Sequence, residues 1–139
     1  MQNIVGGCLC GGVRYEGEAE PVLTAVCHCR DCQKHTSSAF SVLVVFPKGT
    51  LRMEGLDLSS FEHTGDSGQP VVRKFCPRCG SPVVADVAVT PGWEWLMAGT
   101  LDDPSWLRPQ MNIFCSGAQP WVSMDDAVPA YMGPPPLGQ

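Results

Sequence analysis

Eight cysteines, and the way they are grouped, constrain this 139-residue chain more than any other feature. Three clusters, Cys8-Leu9-Cys10, Cys27-His28-Cys29-Arg30-Asp31-Cys32 and Cys76-Pro77-Arg78-Cys79-Gly80, are followed by the singlet Cys115. In an exported chain of this size so many cysteines suggest disulfides, whereas in a reducing compartment they suggest metal or catalysis. The amino terminus, Met1-Gln2-Asn3-Ile4-Val5-Gly6-Gly7, has neither the basic start nor the apolar run of a secretory signal. The longest apolar stretch, 40–46, is far short of the roughly 20 residues that a membrane-spanning helix needs. The expectation is a soluble, cytoplasmic protein with reduced thiols and no membrane partner.

Spacing then narrows the chemistry. In Cys-Pro-x-Cys-Gly, the proline pre-sets a turn, two thiolates converge on one metal, and the glycine permits the tight backbone that follows. A redox dithiol would need a helix starting at the pair, but Ser81-Pro82-Val83-Val84 reads as a strand. Such a knuckle supplies two ligands, and a closed structural zinc site needs four. Cys8 and Cys10, between Gly6-Gly7 and Gly11-Gly12, can converge if the backbone bends sharply between them. The middle cluster offers three thiols in six residues, the number of protein ligands at a zinc with an open position. Spacing alone also permits a single ribbon-like site, built from Cys27 or Cys29 with Cys32, Cys76 and Cys79, with Cys8 and Cys10 left as core residues.

The remaining candidates read as structural. Cys115 stands apart and suits a small buried hydrophobe at a strand end. His28 lies between two candidate ligands, and extended backbone would turn its side chain away from theirs. His35 and His63 stand alone in polar stretches, and Trp93 and Trp95 alternate as core or pocket wall. The formal charge of −5, which zinc-bound thiolates would deepen, argues against a nucleic-acid partner. The densest basic group, Arg73, Lys74 and Arg78, reads either as a solvated face or as an anion patch.

Alternating or β-branched runs recur at 12–18, 22–27, 40–46, 60–64, 71–76, 83–89, 93–98 and 111–115. Turn residues such as Pro47-Lys48-Gly49, Thr64-Gly65-Asp66-Ser67-Gly68 and Thr90-Pro91-Gly92 punctuate them. The fold class expected is mainly β, with antiparallel strands and very little helix. Helical turns are expected only at 30–35 and 102–106. Length suits a single domain over 1–132, followed by a Pro-rich C-terminal tail at 133–139.

The chain resembles the glutathione-dependent formaldehyde-activating enzymes, whose domain also occurs in centromere protein V. The resemblance rests on Gly7-Cys8-Leu9-Cys10-Gly11-Gly12-Val13-Arg14-Tyr15, Cys27-His28-Cys29-Arg30-Asp31-Cys32-Gln33 and Arg73-Lys74-Phe75-Cys76-Pro77-Arg78-Cys79-Gly80-Ser81. Weaker similarity runs through Gly99-Thr100-Leu101-Asp102-Asp103-Pro104 and Pro120-Trp121 to Pro129-Ala130-Tyr131. It implies a fold of small antiparallel sheets assembled around a structural zinc, and two zinc ions per chain, a structural one on Cys8, Cys10, Cys76 and Cys79 and a catalytic one on Cys27, Cys29 and Cys32. It also implies an S-(hydroxymethyl)glutathione synthase type of carbon-sulfur lyase, with glutathione as the small-molecule thiol and formaldehyde or another small aldehyde as its partner. Asp31, Asp86 and Asp102 are possible proton-transfer groups only because they are acidic. The alternative is a non-enzymatic structural zinc module that binds a protein.

Overall fold

A computed structural model describes residues 1–136. Ten strands follow in chain order: β1 (Gln2–Gly7), β2 (Val13–Ala19), β3 (Leu23–Cys27), β4 (Ser41–Pro47), β5 (Arg52–Gly55), β6 (Ser59–Thr64), β7 (Pro70–Phe75), β8 (Pro82–Val87), β9 (Trp93–Met97) and β10 (Met111–Ile113). One α-helix, α1 (Arg30–Thr36), and two single turns of 3-10 helix, Ala98–Thr100 and Cys115–Gly117, complete the described residues. The mainly β reading holds, and the helical turn expected at 30–35 is α1. The turn expected at 102–106 does not form a helix. Asp103 Oδ1 instead accepts from the backbone N–H of Ser105 (3.0 Å) and from its hydroxyl (2.6 Å), a local closure that competes with helix.

The chain contacts divide into two compact units, Met1–Val22 with Val44–Trp106, and Leu23–Leu43 with Leu107 onward. In the first unit, β1-β2-β5 form one sheet, and β4-β9-β8-β7-β6 follow one another in a second. β2 buries Val13 and Tyr15 on one face and turns Arg14 and Glu16 outward, the period of two that a half-buried strand demands. Tyr15 carries its hydroxyl to Thr100 Oγ1 (2.7 Å), and burial pushes that phenol up to about 12. β4 is different, since Leu43, Val44, Val45 and Phe46 are all buried, as in a strand covered on both faces.

In the second unit, β10 lies beside β3. β10 runs parallel to β3, pairing Met111 with Ala25, Asn112 with Val26 and Ile113 with Cys27. This departs from the wholly antiparallel expectation; a parallel pair needs a long return connection, which the chain between Cys27 and Met111 provides. The pairs β1–β2, β2–β5, β6–β7, β7–β8 and β8–β9 are antiparallel. Of the tail expected at 133–139, residues 137–139 lie outside the described residues. Gly133 accepts from the backbone N–H of Phe114 (2.8 Å) and Pro135 is buried.

Candidate metal centres

Each unit holds one cluster of thiols. In the first, Cys8 and Cys10 leave the end of β1, and Cys76 and Cys79 occupy the turn between β7 and β8. Their four sulfurs lie within 4.8 Å of one another, with Cys8–Cys10 at 3.5 Å and Cys10–Cys76 at 3.8 Å. Four sulfurs at about 2.3 Å from a tetrahedral zinc would stand about 3.8 Å apart, so the set fits that ion. The backbone is shaped for the purpose. Gly80, at φ +80, closes the turn in the left-handed region that glycine adopts without strain. Cys76 and Cys8 are buried with Val13 in a small core on which Leu58 and Cys79 also pack.

Donors surround these sulfurs. Val13 N–H points to Cys8 Sγ (3.2 Å), Gly12 N–H to Cys10 Sγ (3.4 Å), and Arg78 N–H to Cys76 Sγ (3.4 Å). The Ser81 hydroxyl, 3.2 Å from Cys79 Sγ, joins the Ser81 and Cys10 backbone N–H groups in drawing that thiol down to about 5. Donors aimed at sulfur stabilise thiolates, the form a metal binds.

In the second unit, Cys27 ends β3, Cys29 caps α1 and Cys32 lies in its first turn. Cys29 accepts from the Cys32 N–H (3.3 Å), and the three sulfurs again lie within 4.8 Å of one another. Their chemistry differs from that of the four-cysteine set. Hydrogen bonding with Cys29 and Cys32, reinforced by burial, pushes the Cys27 thiol far up. At Cys29 the bond with Cys27 works downward, yet Cys32 and burial carry that thiol up to about 11. A cation among these sulfurs would offset the crowding and favour their thiolate forms. The set fits a metal with three protein ligands. Cys27 and Cys32 are 3 % and 4 % exposed, whereas Cys29 is partly open, so solvent meets the cluster at the Cys29 edge.

The surroundings of this second cluster are built by one side chain that the spacing of cysteines did not single out. Gln33, buried in α1, donates from Nε2 to the carbonyl oxygens of His28 (2.7 Å) and Gly117 (2.9 Å). Its Oε1 accepts from Arg30 and from Gln119 Nε2 (2.9 Å). Gly117 is needed there, because a Cβ on it would stand 2.8 Å from the His28 oxygen. A buried glutamine one residue past a ligand motif was the only local signal.

The other expected residues fall as follows. His28 is buried, with Nε2 donating to Asn112 Oδ1 (2.9 Å) and its ring 5.6 Å from that of Phe40, a structural placement. Its buried Nδ1 has no hydrogen-bond partner among the described residues. Cys115 is not among the converging thiols; it begins the 3-10 turn rather than ending a strand and sits 3.9 Å from Met124 Sδ. The basic group divides among partners, Arg73 with His63 (2.8 Å), Lys74 with Asp86 (2.7 Å) and Arg78 with Cys10 (3.3 Å), so it forms no open anion patch. Asp86 and Asp102 are held by Lys74 and Arg14, which leaves neither unpaired. Trp95 is buried and Trp93 half-buried, while Trp121 is 72 % exposed. Among the described residues no helix is long and apolar enough to cross a membrane.

The class that fold and site define is a β scaffold carrying two thiol clusters, each able to hold a metal ion. The particular family follows from comparison: a family model described as "Glutathione-dependent formaldehyde-activating enzyme" matches residues 3–117, and the chain belongs to that family. No curated protein matches the chain closely enough to add to this. Among solved structures, the fold is similar to that of a Rhodobacter sphaeroides protein determined as a structural-genomics target, with TM-score 0.59 and 19% identity. That match covers 76% of this chain and 92% of the other.

Proposed function

We propose that Cys8, Cys10, Cys76 and Cys79 hold a structural zinc, that Cys27, Cys29 and Cys32 hold a catalytic one, and that the protein adds glutathione to formaldehyde or another small aldehyde. The observation that carries this reading is the convergence of exactly three thiols of unequal exposure in a chain of this family. A zinc held there would supply Lewis acidity, holding an incoming thiol as its thiolate at neutral pH. In the addition itself the sulfur forms a bond to the carbonyl carbon, the carbonyl π pair moves to oxygen, and that oxygen takes up a proton. The product is S-hydroxymethylglutathione, and the reverse reaction breaks the same carbon-sulfur bond, which makes the activity a carbon-sulfur lyase.

This chain's own residues then have separable tasks. Buried Cys27 and Cys32 close the back of the cluster to water, and Cys29 leaves its edge open for the incoming sulfur. Gln33 binds α1 to the Gly117 turn, so that the edge keeps its shape. Reduced thiols in this number fit a reducing cytoplasm, where glutathione is available.

Titration calorimetry of the zinc-loaded protein with glutathione and with S-methylglutathione tests the reading. Glutathione should bind much the more tightly, because the methylated sulfur cannot form a thiolate. Equal affinities would separate the thiol from the centre, and no binding of either would favour a non-enzymatic zinc module.

A further inference from the structure

Arg30 directly follows Cys29, the partly open member of the three-thiol cluster, and begins α1. It is exposed, and no carboxylate among the described residues pairs with it. Other arginines are committed: Arg14 to Asp102, Arg52 to Glu16, Arg73 to His63 and Arg78 to Cys10. Yet Arg30 is not loose. Its Nη1 donates to Gln33 Oε1, and the Gln33 amide cannot turn, because its Nε2 donates to two backbone carbonyls at 2.7 and 2.9 Å. A glutamine that is 4 % exposed thus fixes the exposed cation of the residue that follows Cys29.

A held guanidinium without an internal anion is suited to an external one. It keeps further N–H donors in the fork geometry that matches a carboxylate in two parallel hydrogen bonds. The chain's net charge of −5 repels an anionic substrate in general, so a carboxylated thiol needs a local cation where its sulfur enters. In glutathione the glycine carboxylate lies one peptide unit from the cysteine that bears the sulfur, which is the arrangement that a cation next to Cys29 would meet.

We propose that Arg30, held in place by Gln33, recognises a carboxylate of the thiol substrate, so that the site selects carboxylate-bearing thiols over neutral ones. This rests on the reading of Cys27, Cys29 and Cys32 as the thiol site. Gln33 is in this scheme a positioning residue and Arg30 a specificity-determining one.

Titration calorimetry of the full, zinc-loaded chain with glutathione and with its diethyl ester, in which both carboxylates are masked, separates the two ideas. The parent should prefer the acid by about tenfold or more, the scale of one charge-assisted pair. Arg30→Ala should lose that preference by weakening glutathione alone, leaving the affinity for the diester and the metal content unchanged. Arg30→Lys should restore part of it, a pattern that a loss of packing alone would not give. A parent that binds acid and diester equally, or an Arg30→Ala variant that keeps the full preference, overturns the proposal while leaving the thiol site intact. A parent that binds neither compound overturns the thiol-site reading, and the Arg30 assignment falls with it.

Discussion

Arg78 Nε donates to Cys10 Sγ across 3.3 Å, laying a cation against the most exposed sulfur of the four-cysteine cluster. A zinc with four thiolates carries a net charge of −2, and the guanidinium offsets part of it. Arg78→Ala should therefore lower metal affinity at this site by about tenfold, the lower end of what loss of a partner around metal ligands costs. Chelator competition followed by absorbance checks it; unchanged release kinetics would show that the Arg78 contact does nothing for the metal.

Metal stoichiometry follows from the division of thiols into a four and a three. Elemental analysis of untagged protein should find close to two zinc ions per chain. Cys115→Ala should keep both, since its sulfur faces Met124 rather than either cluster. One zinc that persists after reconstitution would contradict the two-centre assignment, and a loss on replacing Cys115 would add a ligand to it.

The two clusters should differ in what they do for stability. Cys76 is fully buried in a small core with Cys8 and Val13, so Cys76→Ser and Cys8→Ser remove both the metal and the centre of that packing. Metal binding in small zinc domains contributes of order 10 kcal/mol to folding, so these variants should melt far below the parent or fail to fold. Cys29→Ser, at the open edge of the other cluster, should melt close to the parent. Equal losses in all three variants would erase the distinction between a structural and a catalytic metal.

Gly80 gives a purely conformational test. A Cβ there would meet nothing within 4 Å, yet the residue sits at φ +80. Gly80→Ala should destabilise by about 1 to 2 kcal/mol through backbone strain alone, and Gly80→Asn should recover part of that loss. Chemical denaturation of the zinc-loaded proteins reads the difference; an alanine variant as stable as the parent would mean that the turn can be rebuilt without positive φ.

What the sequence determined by itself was local. Eight of the strands, α1, the Cys-Pro-x-Cys-Gly turn and its glycine were all legible, because period-two alternation, proline and glycine act over a few residues. β1 was missed because its sequence ends in Gly6-Gly7 and sets apolar Val5 on the exposed face next to buried Ile4, so its alternating burial has no matching alternation of residue type. β5 was missed because Arg52-Met53-Glu54-Gly55 is largely exposed and takes its strand form in pairing with β2. Beyond the family resemblance, spacing left open which thiols converge, and tertiary structure decided it. Spacing permitted Cys32 to join Cys76 and Cys79, and only the fold brings Cys10 to 3.8 Å from Cys76, 66 residues away, while Cys27, Cys29 and Cys32 gather separately. It also decided that Arg78 faces sulfur and that Gln33 fixes Arg30. Those outcomes depend on strand register and chain return over long separations, which no short-range pattern encodes.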